Sequence, residues 1–290
     1  MMQQVTVRVP ASTSNLGPGF DCLGVALRLY NRVTVARNGA EIASPLAREA
    51  ARFFFKAARI RPFGFACNVT DHIPRARGLG SSATVRAGLL LALNRMAGNP
   101  LERVALFQLC AELEGHPDNC APALFGGFTV VRGGHVQRFD VSSRLRFVLL
   151  VPEVEIKTPA ARKILPAMIK RLDAVESCGN ACAITAAFAS RNYQALRGAF
   201  ADGLHQPFRR RLIPFLPRVI AAAEKAGALG AFLSGSGSTI AAVTLDSPKT
   251  ISGKMLAAAG SRNARVFITT ADNRGAEVVI NRKSKIGNRK

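Results

Sequence analysis

The chain has 290 residues, 48% of them hydrophobic, enough to bury a large core as one big domain or two medium ones. No stretch approaches the roughly 18 consecutive apolar residues of a spanning helix, and the start MMQQVTVRVPAS has no apolar leader core, so a cytoplasmic protein with no membrane partner is expected. Forty Lys and Arg against eighteen Asp and Glu give +22, a field that draws polyanions, yet the basic residues are spread out and there are two tyrosines and no tryptophan, so no specific nucleic acid is expected.

In chain order, Val5, Val7 and Val9 alternate onto one face of a strand expected to stop at Pro10, and ASTSNLGPGFDCLG follows as a turn-rich loop. A second strand spans 27–36. SPLAREAARFFFKAARI at 44–60 reads as a helix capped by Ser44 with Pro45 in its first position. A strand through FACNVTDHIP leads to GLGSS, which feeds a helix whose Val85, Leu89, Leu93 and Met96 recur on one face. Asn99, Pro100 and Glu102 read as the cap, first-turn proline and capping-box acid of a helix that reaches Glu114 and is broken by GHPDN. GGFTVVRGG and HVQRFDVS have a hairpin pattern, and RFVLLVPEVEI at 146–156 reads as a buried strand, with a domain boundary near residue 145. Beyond it come helical stretches at 159–174, 177–200 and 212–226, then the loop LSGSGST with strand-like IAAVTL, a helix near 248–260, and strands RVFITT and AEVVI. The irregular alternation implies an α+β class, and the tail NRKSKIGNRK reads as a disordered basic end. The six cysteines form no CxxC pair and read as reduced core thiols, Cys178 and Cys182 sharing burial one helical turn apart rather than a metal.

The chemistry concentrates in PRARGLGSSAT, that is Pro74, Arg75, Ala76, Arg77, Gly78, Leu79, Gly80, Ser81, Ser82, Ala83 and Thr84. Small residues running into a helix start let backbone N–H groups converge on an anion, where the helix dipole adds about half a positive charge. Gly78 and Gly80 permit close approach of a phosphate, Ser81 and Ser82 offer hydroxyls to a phosphate or a magnesium ion, and Arg75 and Arg77 supply charge. Alone, this loop supports an anion site and a glycine-rich helix cap about equally. The common nucleotide loop GxxxxGK[ST] is absent, as is GxGxxG after a strand. Two further loops of the same character, PASTSNLGPGFD at 10–21 and GAFLSGSGST at 230–239, are hard to attribute to turns alone.

The three loops together resemble the signature motifs of the GHMP kinases, and PASTSNLGPGFDCLGVAL with EGHPDNCAPALFGGFT at 114–129 is similar to the homoserine kinases among them. The resemblance spans nearly the whole chain. It implies a two-domain α+β GHMP kinase fold: an ATP-binding domain at 1–145 like domain 2 of ribosomal protein S5, and a ferredoxin-like α/β layer at 146–290. It implies transfer of a phosphoryl group from ATP, with Mg2+, to the side-chain hydroxyl of L-homoserine, and it is compatible with a homodimer. By the same resemblance Asn15 and Asp21 contact the amino-acid substrate, and His116 and Asp118 belong to the active-site turn. Asn119 lies near the transferred phosphoryl, Thr158 faces the phosphate, and Arg162 and Arg209 bind the substrate carboxylate. For the cation, Ser82 is joined by an acid at the end of a helix; Glu112 and Glu114 are both available and Glu112 is favoured. Asp21 is the nearest proton acceptor by motif.

Each of these residues also has an ordinary reading. Asn15 suits a turn, Asp21 a helix cap, HPDN an Asx turn, and the arginines a solvated surface. Three departures from the family pattern stand out: Ser238 in place of a proline, Cys120 in place of a valine and Thr84 in place of an alanine. The segment between Val35 and Pro45 is shorter than the family norm. The competing functions are another small-alcohol kinase of the same superfamily and a basic nucleic-acid-binding protein on a related fold.

Overall fold

The computed structural model describes residues 3–37, 44–260 and 263–279; the basic tail and most of the shortened segment before Pro45 lie outside the described residues. The chain opens with a long antiparallel ribbon, β1 (Gln4–Asn15) against β2 (Gly19–Arg37), where the sequence had indicated a strand ending at Pro10 and then a loop. Pro10 is tolerated because the register shifts between Pro10 and Ala11, a bulge where a missing N–H breaks no ladder. Residues 11–15 hid their strand character because they are buried on both faces, polar Ser12, Thr13 and Ser14 included, so no apolar–polar alternation marks them.

Helix α1 (Pro45–Ala58) is capped by Ser44 Oγ, which accepts from Ala47 N at 3.2 Å, and β3 (Phe65–Thr70) then pairs with the distal half of β2. Helix α2 (Ser81–Met96) is buried nearly all round, Leu89, Leu90, Leu91 and Leu93 included, so the single apolar face in the pattern understates it. Gly88 lets it lie on the ribbon: a β-carbon there would stand 2.5 Å from Val33 Cγ2 and 3.1 Å from Val9 Cγ2. Helix α3 (Arg103–Glu114) begins after Glu102 rather than after Asn99, because Asn94 holds the intervening loop through both side-chain bonds to Leu101. It ends at Gly115 in the left-handed conformation, and a short α4 (Cys120–Phe125) follows the HPDN turn. The hairpin β4 (Phe128–Arg132) and β5 (His135–Phe139) completes the first sheet on the β2 side.

The second sheet is antiparallel in the order β7 (Gly230–Leu233), β8 (Ile240–Thr244), β6 (Arg146–Val151), β9 (Arg265–Thr270). Alternate side chains of β6 split between two cores: Phe147 and Leu149 face the first sheet, Val148 and Leu150 face α8 (Leu216–Lys225) and α9 (Pro248–Ala259). The first of these cores also takes α6 (Arg171–Ser190) through Ile184 and Phe188, the latter stacked on Phe128 at 4.2 Å. Between β6 and α8 the helices are shorter than the sequence indicated. A proline at 166 follows α5 (Thr158–Lys163), Arg191 ends α6 in the left-handed region, and α7 (Gln206–Arg209) is one turn with Pro207 at its start. A last strand, β10 (Glu277–Val279), leaves the second sheet and pairs with β1, Thr6 opposite Val279. The last strand among the described residues thus comes from the second half of the chain and belongs to the first sheet. The architecture is the expected α+β pair of layers. The cysteines depart from the core reading: Cys110 and Cys120 are buried, but Cys178 and Cys182 are exposed, because the face of α6 that carries them is turned to solvent.

Candidate active site

The phosphate-loop candidate is held by backbone on three sides. Leu79 O accepts from Ser12 N (3.2 Å), Gly78 O from Ser234 Oγ (2.6 Å), Arg77 O from Thr239 N (3.1 Å) and Ala76 O from Ile156 N (3.1 Å). Ala76, Gly78 and Gly80 have φ of 51°, 73° and 67°, and a β-carbon on Gly78 or Gly80 would overlap Ser234 O or Ser12 Oγ. Glycine is required there by both torsion and space. Gly80 is the N-cap of α2 and no side chain caps that end, so the first-turn N–H groups, the positive end of a 16-residue helix dipole, stay open to a ligand. The first and third loops meet at the same place: Gly235 N donates to Ser14 O at 3.1 Å and Asn15 Nδ2 to Gly235 O at 3.1 Å.

Together the loops wall a cavity of about 700 Å³ lined by residues of both halves of the chain. Arg75, Ala76, Arg77, Gly78, Leu79, Gly80, Ser81 and Ser82 line it, whereas Pro74, Ala83 and Thr84 do not. Ala83 lies in the core under α2, and buried Thr84 receives Asn31 Nδ2 (2.9 Å) and donates to Ser81 O (2.7 Å), so both support the loop from behind. The two loop arginines are also committed elsewhere. Arg77 donates to Pro152 O (2.8 Å) and Glu153 O and faces Glu155, tying the loop to the segment after β6, while exposed Arg75 pairs with Asp71.

The HPDN turn forms the floor. Asn119 Oδ1 accepts from Ser12 Oγ (2.7 Å) and its Nδ2 donates to Ser14 Oγ (3.0 Å), which locks the amide between two strand residues. His116 and buried Asp118 bond at 2.9 Å. Burial pushes Asp118 up and His116 down, but the bond and charge between them outweigh burial on both sides, leaving the carboxyl below its usual 3.8 and the imidazole above its usual 6.5.

Asp21, Arg162, Arg209 and Thr158, at the start of α5, line the same cavity. Arg162 holds Asp21 bidentately at 3.0 and 2.6 Å, with both side chains about one-third exposed, and Asp21 N donates to Asn15 Oδ1 at 3.1 Å. Asn15 and Asp21 both have positive φ, 69° and 60°, a conformation their short polar side chains tolerate. Arg209 is 2% exposed, lies with Arg162 around the Phe20 ring at 5.3 and 5.4 Å, and makes no ion pair among the described residues. Burial, with Arg162 adding, pushes its pKa down to about 10, so it stays cationic at neutral pH. A buried cation facing a cavity without a carboxylate partner is a receptor for an anion.

For a cation, Ser82 Oγ donates to Glu114 Oε2 at 2.7 Å, and both line the cavity; Glu114 also pairs with Arg86. Glu112, the acid the sequence favoured, is exposed and lines a separate groove with Gln108 and Gly134. At 100° per residue, two positions along a helix point about 200° apart, so only one of the two can reach Ser82. The cavity is also lined by Leu46, Asn68, Val69 and Val85, of which the sequence had marked Val85 alone, and that as part of an apolar helix face rather than of a site. His205, Asp202 and Gln206 were not marked by the sequence because their roles depend on burial against distant loops; Gln206 Oε1 accepts from Leu233 N at 2.7 Å and so braces the third loop.

Comparison with known proteins agrees with this geometry. The model of the GHMP kinases N terminal domain matches residues 45–127, and that of the GHMP kinases C terminal domain matches 183–261. A homoserine kinase of Caldicellulosiruptor saccharolyticus is 38% identical over 94% of this chain and 96% of its own. The chain belongs to the homoserine kinase family of the GHMP kinases. Within that family a Synechocystis homoserine kinase is 39% identical over 83% of this chain and 86% of its own. The crystal structure of the family member from Cytophaga hutchinsonii superposes with a TM-score of 0.87 at 28% identity, covering 96% of this chain and 98% of that one. The mevalonate kinase of Methanococcus jannaschii, at 14% identity and TM-score 0.69 over 92% of this chain and 98% of its own, shares the GHMP fold alone.

Proposed function

We propose that the chain transfers the γ-phosphoryl group of ATP to the side-chain hydroxyl of L-homoserine, giving O-phospho-L-homoserine for threonine biosynthesis. The observation that carries the reading is the pairing of unlike charges in the cavity that the phosphate loop lines, a buried Arg209 with no ion partner among the described residues beside the Asp21 carboxylate. A zwitterionic amino acid needs an anion and a cation receptor a few ångströms apart. A sugar needs neither and mevalonate only one. In this reading Arg162 exchanges Asp21 for the substrate carboxylate, which it shares with Arg209, and frees Asp21 for the ammonium group.

Phosphoryl transfer through a loose transition state asks mainly for positioning and charge neutralisation. The α2 N-terminus binds the phosphates, Asn119 and Thr158 flank the transferred group, and Arg209 fixes the acceptor so that its hydroxyl faces the phosphate. The oxygens of Ser82 and Glu114 suit Mg2+, which prefers a carboxylate or two plus substrate phosphates and water over an all-protein cage. A bound Mg2+ would neutralise charge on the phosphates. No helix among the described residues is long and apolar enough to cross a membrane. A coupled ADP-release assay against homoserine, mevalonate, galactose and shikimate, with and without Mg2+, tests the proposal. Turnover with homoserine alone is expected; turnover with another acceptor and none with homoserine overturns it.

A further inference from the structure

Arg209 is aimed by a second residue. His205 stands one helical turn before it, fully buried at the N-cap of α7, with its ring 5.3 Å from that of Phe20. One ring nitrogen, Nε2, lies 2.9 Å from Gly17 O, in the turn of the first signature loop; the other, Nδ1, lies 3.2 Å from Arg209 Nη1. A carbonyl only accepts and a guanidinium only donates, so the two partners permit one arrangement: hydrogen on Nε2, lone pair on Nδ1. From these contacts we infer that His205 is a positioning residue that orients Arg209 toward the acceptor's carboxylate, acting as the neutral Nε2-protonated tautomer. The inference deepens the acceptor reading above and rests on it.

The rest of the guanidinium is consistent with that role. Nε donates to Ala161 O at 3.2 Å and Nη1 also donates to Gly235 O at 2.8 Å, while no acceptor meets Nη2 among the described residues. Nε and Nη1 are thus pinned by three elements and Nη2 is left for a ligand in the cavity that Arg209 lines. The turn beneath is fixed by Asp202, whose carboxylate accepts Leu204 N (2.6 Å), His205 N (3.2 Å) and Gln206 N (2.8 Å) and lies 3.3 Å from Nε2. An imidazolium would have no lone pair for Arg209 and would set a second cation against it. The charged groups facing the ring are Asp202, Arg209 and Asp21, and burial outweighs the two acids in keeping it neutral.

Three substitutions separate the two ring contacts. In His205→Asn the amide oxygen can stand where Nδ1 stands; in His205→Gln the amide N–H replaces Nε2 and nothing accepts from Arg209; His205→Leu removes both. For Gln and Leu the KM for homoserine should rise about 10- to 100-fold, the range for a lost hydrogen bond to a charged group, with KM for ATP within about twofold; Asn should stay within about threefold of the unaltered enzyme. Homoserine KM unchanged in His205→Gln, or both KM values rising together in all three variants, would overturn the assignment. The unaltered protein gives a test independent of folding of the variants. Nitrogen-15 NMR of its four histidines should show one fixed in the Nε2-protonated form and not titrating between about pH 5.5 and 8.5. No such histidine, or an Nδ1-protonated one at this position, overturns it as well. Absence of homoserine turnover by the unaltered enzyme would strike the acceptor reading instead, and the tautomer would still be decided by NMR.

Discussion

Gly80 combines a left-handed φ with a β-carbon position already filled by Ser12 Oγ, and its neighbour across the gap is Asn119 Oδ1 at 3.0 Å. Gly80→Ala should therefore push the phosphate loop off the HPDN floor and lower kcat/KM for ATP at least about 100-fold, the scale of a misplaced catalytic group, while circular dichroism stays native. The two acids of α3 give a sharper contrast. Glu114→Gln should raise the Mg2+ concentration for half-maximal rate about tenfold or more, and Glu112→Gln should leave it unchanged; equal effects would remove Ser82 and Glu114 as the cation's holders. Three buried or half-buried groups set the pH response. Asp118, held below 3.8, stabilises the fold above that pH and loses its contribution as pH falls through its lower folded value. His116, held above 6.5, contributes fully below 6.5 and loses it as pH rises through its raised value. His205, pushed down to about 4, works in the opposite sense, stabilising above 6.5 and less and less as pH falls toward 4. Urea midpoints across pH should show the alkaline loss vanish in Asp118→Asn. At this scale Asn15, Asp21, His116, Asp118, Asn119, Arg162 and Arg209 could be picked from the sequence only through the resemblance of their motifs, since singly each suits a turn, a cap or a surface, and the structure brings them to one cavity. The choice between Glu112 and Glu114 was not, since it depends on the rotation of one helix against another.

Among the elements, α2 links the loop to the core. Its N-terminus faces the cavity and its body lies on the β1–β2 ribbon at Gly88, where a methyl group would be too close to Val33 to be absorbed by a flexible chain end. Gly88→Ala raises intrinsic helix propensity by about 1 kcal/mol yet should lose about 1–3 kcal/mol through overpacking, so calorimetry should record a lower Tm; a rise would show that the helix can lift without cost. The helices α1 and α9 and the hairpin of β4 and β5 were readable because each keeps one wet face and its turn chemistry. Strand residues 11–15 and the short turns α4 and α7 were not, since they are set by what packs on them from distant parts of the chain. Thr13 and Ser14 gave a loop signal and lie in a strand because they pair with β2 and are fully buried, Ser14 O also accepting from Gly235 N of the second half.

For the whole molecule, the site is a joint: Ser14 and Gly78 from the first half touch Gly235 and Ser234 from the second. Nucleotide should bridge the halves, so ATP at 100 times its Kd should add about 2.7 kcal/mol to global stability, and the shift in Tm should be absent in Gly80→Ala. The charge of +22 makes a second prediction at this scale. Weak RNA retention on filters should vanish as salt is raised, with homoserine turnover unaffected by added RNA; competition between the two would point to a shared site.

The return of β10 to β1 also bears on how the chain is born. Thr6 cannot meet Val279, nor Ser14 meet Gly235, until nearly all of the message has been translated. The first signature loop, complete by residue 21 of 290, can pair with β2 at once but must wait for its contacts with the third loop while the remainder emerges, a delay that a long sequence separation imposes on any such closure. Nascent chains stalled before the third loop should therefore be protease-sensitive at residues 10–20 and should not bind nucleotide, and both properties should change together on release from the ribosome.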